Sequence, residues 1–138
     1  MSDTGELDIV FGASSAIGGA LIQRWQRQGR RPILAVTRSA TGISESCDSN
    51  RVRVETSDYS EVSLSALAAR LVSAQTNVTR LVVCNGVLQG AGYRPERALA
   101  QIDSTAMDKV FEVNTFLPMR ILSAMAPLLK TSPAPIVA

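Results

Sequence analysis

The sequence has 138 residues, of which 46% are hydrophobic and 4% aromatic, and its formal net charge is +2. This length suits one domain with one sizeable core, and the composition argues against intrinsic disorder. The basic residues are scattered along the chain, which argues against a nucleic-acid-binding surface. The sequence has no histidine and only two cysteines, Cys47 and Cys84, so a Cys/His metal site and a disulfide framework are excluded.

The sequence predicts neither membrane insertion nor secretion. Its apolar runs fall short of the roughly 20 residues that a membrane span needs. The first six residues are polar and acidic, unlike a signal peptide. Cys84 ends an apolar run, which is typical of a buried free thiol. We therefore expect a cytoplasmic protein with reduced thiols and no metal, nucleic-acid or membrane partner.

A turn of small residues joins the first predicted strand to the first predicted helix. Residues 7–11 form an apolar run that predicts a buried strand. The helix that follows is predicted from an apolar stripe at Ile17, Ala20, Leu21 and Trp25. Gly29 is a natural C-cap for this helix.

This turn, from Gly12 to Gly18, favours a phosphate-binding function. A helix N-terminus offers free N–H groups and the positive end of the helix dipole, and small side chains let a pyrophosphate come close. The hydroxyls of Ser14 and Ser15 can donate to phosphate oxygens. The spacing is not that of the G-x-G-x-x-G fingerprint, so a tight turn without a ligand stays open as the alternative.

Four more apolar segments predict the rest of a sheet: residues 33–37, 51–55, 81–84 and a run that starts at Ile136. The segment 51–55 alternates apolar with charged residues, which is typical of a strand with one wetter face at a sheet edge. Residues 39–50 and 87–102 are predicted loops.

Two helices are predicted between these strands. Ser60 caps the first, which carries apolar residues from Val62 to Val72 and ends near Asn77. Asp103 or Ser104 caps the second, a long helix whose apolar stripe from Met107 to Leu129 is expected to be core on one side. Pro118 should kink this helix because it removes one N–H donor.

Alternating strands and helices predict an α/β fold. The expected architecture is a Rossmann-type doubly wound parallel sheet that stops within its fifth strand. The chain is then a single dinucleotide-binding domain of residues 1–138, incomplete at its C-terminus. Arg38 directly follows the second strand, where such a fold meets the adenosine ribose. An arginine there suits a 2′-phosphate, so NADP is favoured over NAD, with an exposed arginine without a ligand as the alternative.

The chain resembles the N-terminal half of a short-chain dehydrogenase/reductase. The family's T-G-x-x-x-G-x-G turn is matched by residues 11–18, and its adenine-contacting Asp by Asp58. The N-N-A-G strand end is matched by Asn85 and Gly86, and the helix-four Asn by Asn114. Residues 93–96 resemble the C-factor-like, cell–cell signalling branch of the family.

This resemblance implies a set of site residues. The expected cofactor-binding residues are Gly12, Ser14, Ser15, Ile17, Gly18, Arg38, Asp58, Asn85 and Gly86. Asn114 is expected in the catalytic machinery, because the family's Asn bonds a water and organises a proton relay to the catalytic lysine. The alternative for Asn114 is a satisfied core amide on the apolar stripe before Pro118, and for Asp58 a loop or N-cap residue.

The turn departs from the family pattern at two positions. Phe11 replaces Thr, and Ala16 replaces the middle Gly. If residue 16 needed a positive φ, alanine would be strained by roughly 1 kcal/mol or more. If residue 16 is helical, the change adds only one methyl group near the pyrophosphate.

The family's catalytic serine and Tyr-x-x-x-Lys motif have no counterpart in this sequence. Its tyrosines, Tyr59 and Tyr93, both fall in predicted loops, and neither is followed by lysine four residues later. Two functions follow. One is the cofactor half of an NADP-dependent oxidoreductase that transfers hydride between nicotinamide and a carbonyl or alcohol substrate. The other is a non-enzymatic NAD(P)-binding or cell–cell signalling protein with the same fold. The resemblance also implies a homodimer or homotetramer, formed through the long helix.

Overall fold

The structure is a computed structural model that describes residues 5–41, 43, 47–48 and 50–138. Five strands form one sheet: β1 (Glu6–Phe11), β2 (Ile33–Thr37), β3 (Val52–Thr56), β4 (Asn77–Val83) and β5 (Ile136–Val137). The α-helices are α1 (Ala16–Gln28), α2 (Glu61–Ser73), α3 (Ser104–Phe111) and α4 (Leu117–Thr131). A 3₁₀ turn spans Leu99–Gln101, and a π-helical turn (Glu112–Phe116) joins α3 to α4.

The strands lie in the order β3-β2-β1-β4-β5, and every strand pair is parallel. This is the predicted Rossmann-type α/β fold. The chain order reverses between β1 and β4, because β2 and β3 lie on one side of β1 and β4 and β5 on the other. Phe11 at the end of β1 pairs with Val36 and with Val83, so the carboxyl ends of three strands meet at one edge. Ligands of open α/β sheets bind at such a reversal.

Each face of the sheet carries a core. Ile9 and Phe11 pack with α2 and α4, whereas Val10 packs on the opposite face with Ile22 and Trp25 of α1. All five residues of β2 are buried, as expected of a parallel strand that helices cover on both faces. The edge position predicted for the third strand is confirmed, since β3 pairs only with β2 in the sheet.

The predicted apolar stripe of α1 is confirmed at Trp25 and wrong at Ile17. Ile17 is 73% exposed, and the buried residues of α1 are Gly18, Ile22 and Trp25. The period of 3.6 residues is respected, but Gly18 occupies the inner position because only a residue without a side chain fits there. The predicted C-cap is confirmed, since the Gly29 amide donates to the Trp25 carbonyl oxygen.

The boundary between α2 and β4 differs from the prediction. The helix begins after Ser60, whose hydroxyl accepts from the Ser63 amide as expected, but it ends at Ser73. Asn77 is the first residue of β4 rather than the end of a helix. Strand pairing decides this boundary, because the Asn77 amide donates to the Gly5 carbonyl at 2.7 Å. Val62 and Val72 at the two ends of the predicted stripe are exposed.

The predicted long helix is two helices separated by the π-helical turn. Asp103 caps α3 by accepting from the Ala106 amide, and Pro118 lies in the first turn of α4, where its missing N–H costs little. The apolar stripe is core only in α4, where Leu117, Ile121, Met125 and Leu128 are buried. Met107 and Phe111 of α3 are 40% and 49% exposed, so the expected core face does not extend to them.

No helix in the described part of the chain is long and apolar enough to span a bilayer.

Candidate functional site

Gly12 begins the turn between β1 and α1 and meets two conditions that only glycine satisfies. Its φ is +73°, and a Cβ added there would lie 2.7 Å from the Asn85 amide nitrogen and 2.7 Å from the Cys84 carbonyl carbon. Gly18 is equally confined, since its Cβ would lie 2.5 Å from the Gly12 carbonyl oxygen. Gly12 therefore lets the turn pack onto the end of β4, and Gly18 lets the first turn of α1 pack onto the glycine turn itself.

The two serines of this turn differ in their hydrogen bonds. The Ser15 hydroxyl caps α1 by accepting from the Gly18 amide at 3.0 Å, so its own proton is free to be donated to an anion at the helix N-terminus. The Ser14 and Thr37 hydroxyls lie 3.0 Å apart. The single Thr37 proton is donated to the Ser39 carbonyl, also at 3.0 Å, so Ser14 is the donor in its bond with Thr37.

Ala16 is the first residue of α1 and has a helical backbone. The described non-glycine residues with positive φ are Tyr59 and Gln75. The strain considered for Ala16 is therefore absent, and the departure from the family pattern amounts to one methyl group.

Arg38 follows β2 and is exposed beside the serine turn. Asp58 follows β3, is fully exposed and accepts from the Ser60 amide at 2.9 Å. The backbone and side-chain hydrogen bonds from Ser60 lower the pKa of Asp58 below the ordinary value of an aspartate. The Asp58 carboxylate therefore stays charged where it lines the groove. Its hydrogen bond to the Ser60 amide within the loop is compatible with a contact to a ligand.

Asn85 and Gly86 follow β4 directly. The side-chain oxygen of Asn85 is buried and, within the described residues, has no hydrogen-bond partner. Such orphaned oxygens are uncommon in folded proteins, and one at a ligand groove is available to accept from a bound molecule. Cys84 beside it is half-buried rather than fully buried, and burial raises the pKa of its thiol.

Asn114 lies in the π-helical turn and is exposed, so the expectation of an amide on the buried stripe is wrong. The turn adds a residue to the helical repeat and rotates Asn114 away from the core. Its need for partners is met by the chain itself. The Asn114 Oδ1 accepts from the Val87 amide, and its Nδ2 donates to the Val87 carbonyl, each at 2.7 Å.

One groove of about 380 Å³ at the carboxyl edge of the sheet brings most of these residues together. Six of the ten predicted site residues line it: Ser14, Ser15, Arg38, Asp58, Asn85 and Gly86. Gly12 and Gly18 lie beneath the turn, and Asn114 holds Val87, which lines the groove. Ile17 points into solvent and is not part of the lining.

Tyr59 is the site residue that the sequence did not reveal as functional. It lies in the predicted loop but is only 4% exposed, and it lines the same groove. Its hydroxyl accepts from the Gly12 amide and donates to the Val36 carbonyl. The one available signal was an aromatic residue directly after Asp58 at the end of a strand.

The donor types in the groove suit the phosphate groups of a nucleotide. Arg38 lines the groove with a guanidinium, and Ser15 adds a hydroxyl donor at the start of α1. The Asn85 side-chain oxygen is buried without a hydrogen-bond partner among the described residues. At Gly12 a Cβ would collide with the backbone at the end of β4, so glycine is required for this close packing.

No protein-family model matches the chain. An uncharacterized oxidoreductase of Staphylococcus haemolyticus is 24% identical to it over 120 residues, which is 83% of this chain and 52% of that protein. Among solved structures, a short-chain dehydrogenase/reductase of Saccharomyces cerevisiae matches 92% of the chain and 50% of its own length, with a TM-score of 0.76 and 21% identity.

A short-chain dehydrogenase of Streptomyces avermitilis matches 96% of the chain and 48% of its own length, with a TM-score of 0.78 and 20% identity. The chain thus spans about half the length of the relatives that it matches. The chain has the same overall fold as these short-chain dehydrogenases/reductases.

Proposed function

We propose that the chain binds NADP and forms the cofactor half of a short-chain dehydrogenase/reductase. The observation that carries this proposal is the single groove that gathers Ser14, Ser15, Arg38 and Asn85 from three different strand ends. The Staphylococcus haemolyticus relative is named an oxidoreductase, which supports oxidation or reduction as the reaction class.

NADP is proposed over NAD because of the charge at the end of β2. Arg38 is the first residue after that strand and is flanked by Thr37 and Ser39, with no acid next to it. A guanidinium can bind a 2′-phosphate with two hydrogen bonds, whereas a 2′-hydroxyl is better served by a carboxylate. Asp58 lines the same groove, and its carboxylate is proposed to face the adenine.

The nicotinamide group supplies hydride chemistry when the cofactor is bound. The chain's own residues are proposed to hold the phosphates through Ser14, Ser15 and the N-terminus of α1, and Asn114 is proposed to keep the segment after β4 in place at Val87. Asn114 is the proposed contributor to the proton relay. The carbonyl or alcohol reaction belongs to a longer chain that also carries the family's serine and Tyr-x-x-x-Lys.

We also propose that the protein acts in the cytoplasm on a small-molecule substrate. Both described cysteines are free thiols, in keeping with a reducing compartment. A homodimer or homotetramer is proposed through α3 and α4, where Phe111, Phe116 and Met119 are exposed.

The test is the affinity of the 138-residue chain for NADPH and for NADH, measured by calorimetry on the native chain, Arg38→Ala and Arg24→Ala. Loss of a charge-assisted contact should weaken NADPH binding by about tenfold to 100-fold in Arg38→Ala and leave NADH nearly unchanged. Arg24 is exposed on α1 outside the groove, so its variant should bind both nucleotides like the native chain.

Equal affinity of the native chain for both nucleotides, or an unaltered preference in Arg38→Ala, contradicts the assignment of NADP. The oxidoreductase and the non-enzymatic alternative are separated by the full coding sequence. A downstream Tyr-x-x-x-Lys with NADPH-dependent carbonyl reduction supports the enzyme, and a full-length product without that motif contradicts it.

A further inference from the structure

We propose that Tyr59 is a positioning residue of the phosphate-binding turn, whose hydroxyl holds the Gly12 amide and ties the glycine turn to the loop that carries Asp58. The identity of the ligand rests on the proposed nucleotide-binding function, and the role of Tyr59 rests on its hydrogen bonds to Gly12 and Val36.

The Tyr59 hydroxyl joins three segments at one point. It accepts from the Gly12 amide at 3.1 Å and donates to the Val36 carbonyl at 3.1 Å. The Val36 oxygen also accepts from the Ala13 amide at 3.1 Å. The start of the glycine turn, the end of β2 and the loop after β3 are therefore linked through buried hydrogen bonds.

The backbone around Tyr59 is held in an unfavourable conformation to make this contact. Its φ is +61°, a left-handed conformation that costs a residue with a side chain roughly 1 kcal/mol or more. The Tyr59 amide donates to the Ser57 hydroxyl at 3.0 Å, and the ring packs against Phe11 with centroids 6.4 Å apart. These contacts aim the hydroxyl at Gly12, and persistent strain of this kind is concentrated at functional sites.

Within the described residues, the Tyr59 hydroxyl is the acceptor for the Gly12 amide. Gly12 is buried, its φ is positive, and a Cβ would collide with the end of β4. Without the phenol oxygen, the Gly12 N–H becomes a buried donor that lacks its partner, which shifts the turn toward other geometries. The turn then presents Ser14, Ser15 and the start of α1 less well to a pyrophosphate.

The same segment connects the two ends of the groove. Asp58 at the proposed adenine end directly precedes Tyr59, so one stretch of backbone reaches both the adenosine side and the phosphate turn. A ligand with a pyrophosphate should depend on the Tyr59 hydroxyl, whereas one that contacts only the adenosine side should not.

The experiment compares the native chain with Tyr59→Phe, which keeps the ring, and with Ser132→Ala as a matched control. The Ser132 hydroxyl is also buried between one backbone donor and one acceptor, the Val78 amide at 2.9 Å and the Leu128 carbonyl at 3.0 Å, and it lies outside the groove. Affinities for NADPH and for 2′-AMP, which lacks the pyrophosphate, are measured with thermal unfolding and with amide hydrogen exchange at Gly12.

Tyr59→Phe should raise the Kd for NADPH about tenfold and leave that for 2′-AMP within about twofold, because only the turn is disturbed. Exchange at the Gly12 amide should become faster in the same variant. Ser132→Ala should lower the melting temperature without changing either affinity or Gly12 exchange.

Unchanged NADPH affinity in Tyr59→Phe overturns the proposal, and so does an equal loss for both ligands that Ser132→Ala reproduces. Failure of the native chain to bind NADPH and NADH instead overturns the proposed function. In that case Gly12 exchange decides the role of Tyr59: faster exchange in Tyr59→Phe supports it, and unchanged exchange overturns it.

Discussion

At the scale of single residues, Gly12 lets the turn after β1 pack closely against the end of β4. Its positive φ and close backbone approach both require glycine, since the amide of Asn85 and the carbonyl of Cys84 lie where a Cβ would be. The Asn85 side-chain oxygen beside this contact is buried without a hydrogen-bond partner among the described residues.

Gly12→Ala should destabilise the chain by roughly 3 kcal/mol, since it adds both a left-handed alanine and a backbone clash. Gly29→Ala is the matched control, because nothing lies within 4 Å of its Cβ and its φ of −156° is extended backbone. Urea unfolding of both variants is the measurement. Equal stability of the two variants would contradict the packing described at Gly12.

The thiol of Cys84 offers a pH-dependent reporter of the groove. Burial raises the pKa of Cys84 because the thiolate loses solvation, so less thiolate is present at pH 8 than for a free thiol. Alkylation of Cys84 in a Cys47→Ser background should be slow at pH 8 and should keep rising as pH passes the ordinary thiol pKa.

Bound nucleotide should protect Cys84, which lines the groove. NADPH at about ten times its Kd should slow alkylation about tenfold, because only the free chain reacts. The reciprocal variant, Cys84→Ser, reports Cys47 and should show no such protection. Alkylation of Cys84 that is indifferent to NADPH would place the nucleotide elsewhere.

At the scale of elements, an ion pair joins the neighbouring strands β1 and β4 outside the groove. Asp8 of β1 is fully buried and forms a two-point contact with the Arg80 guanidinium of β4. The guanidinium carbon lies 3.9 Å from the centroid of the Trp25 ring, so α1 packs on the same group. Arg31 also approaches Asp8, at 3.6 Å.

Arg80→Ala should cost about 3 kcal/mol of unfolding free energy, because it leaves a buried carboxylate with only a distant partner. Arg120→Ala breaks the more exposed pair with Glu112, at 2.8 Å, and should cost at most about 1 kcal/mol. Chemical denaturation of the two variants compares them directly. A loss in Arg80→Ala no larger than in Arg120→Ala would mean that Arg31 replaces Arg80.

At the scale of the whole molecule, the side of the sheet that carries α3, the π-helical turn and α4 exposes large apolar side chains. Phe116 and Met119 are 57% and 64% exposed. Two copies that pair through this side would bury them, in keeping with the homodimer proposed above.

Sedimentation of the native chain at micromolar concentration should give the mass of at least two 14.7 kDa chains. Met119→Asp should shift the distribution to monomer, because it places a charge in the interface. Leu99→Asp, which changes an 88% exposed residue outside α3 and α4, should sediment like the native chain. A monomeric native chain would contradict the proposal.

The sequence by itself determined the strand and helix types, the cap at Ser60, and the six groove residues that follow strand ends, and the structure chose Asp103 over Ser104 as the cap of α3. Local periodicity and cap chemistry act over a few residues, and parallel strands bring their carboxyl ends to one edge. The C-terminal end of α2 was decided by the pairing of β4 with β1. The π-helical turn was decided by the packing of α4 on the sheet. In both cases tertiary contacts override local propensity.

Only the tertiary structure decided which distant side chains meet. Tyr59 reaches Gly12 across 47 positions, Asn114 reaches Val87 across 27, and Arg80 reaches Asp8 across 72. No local pattern encodes such contacts, since they depend on how the strands are ordered in the sheet. The sequence thus located the glycine turn, and the fold supplied the tyrosine whose hydroxyl accepts from its amide.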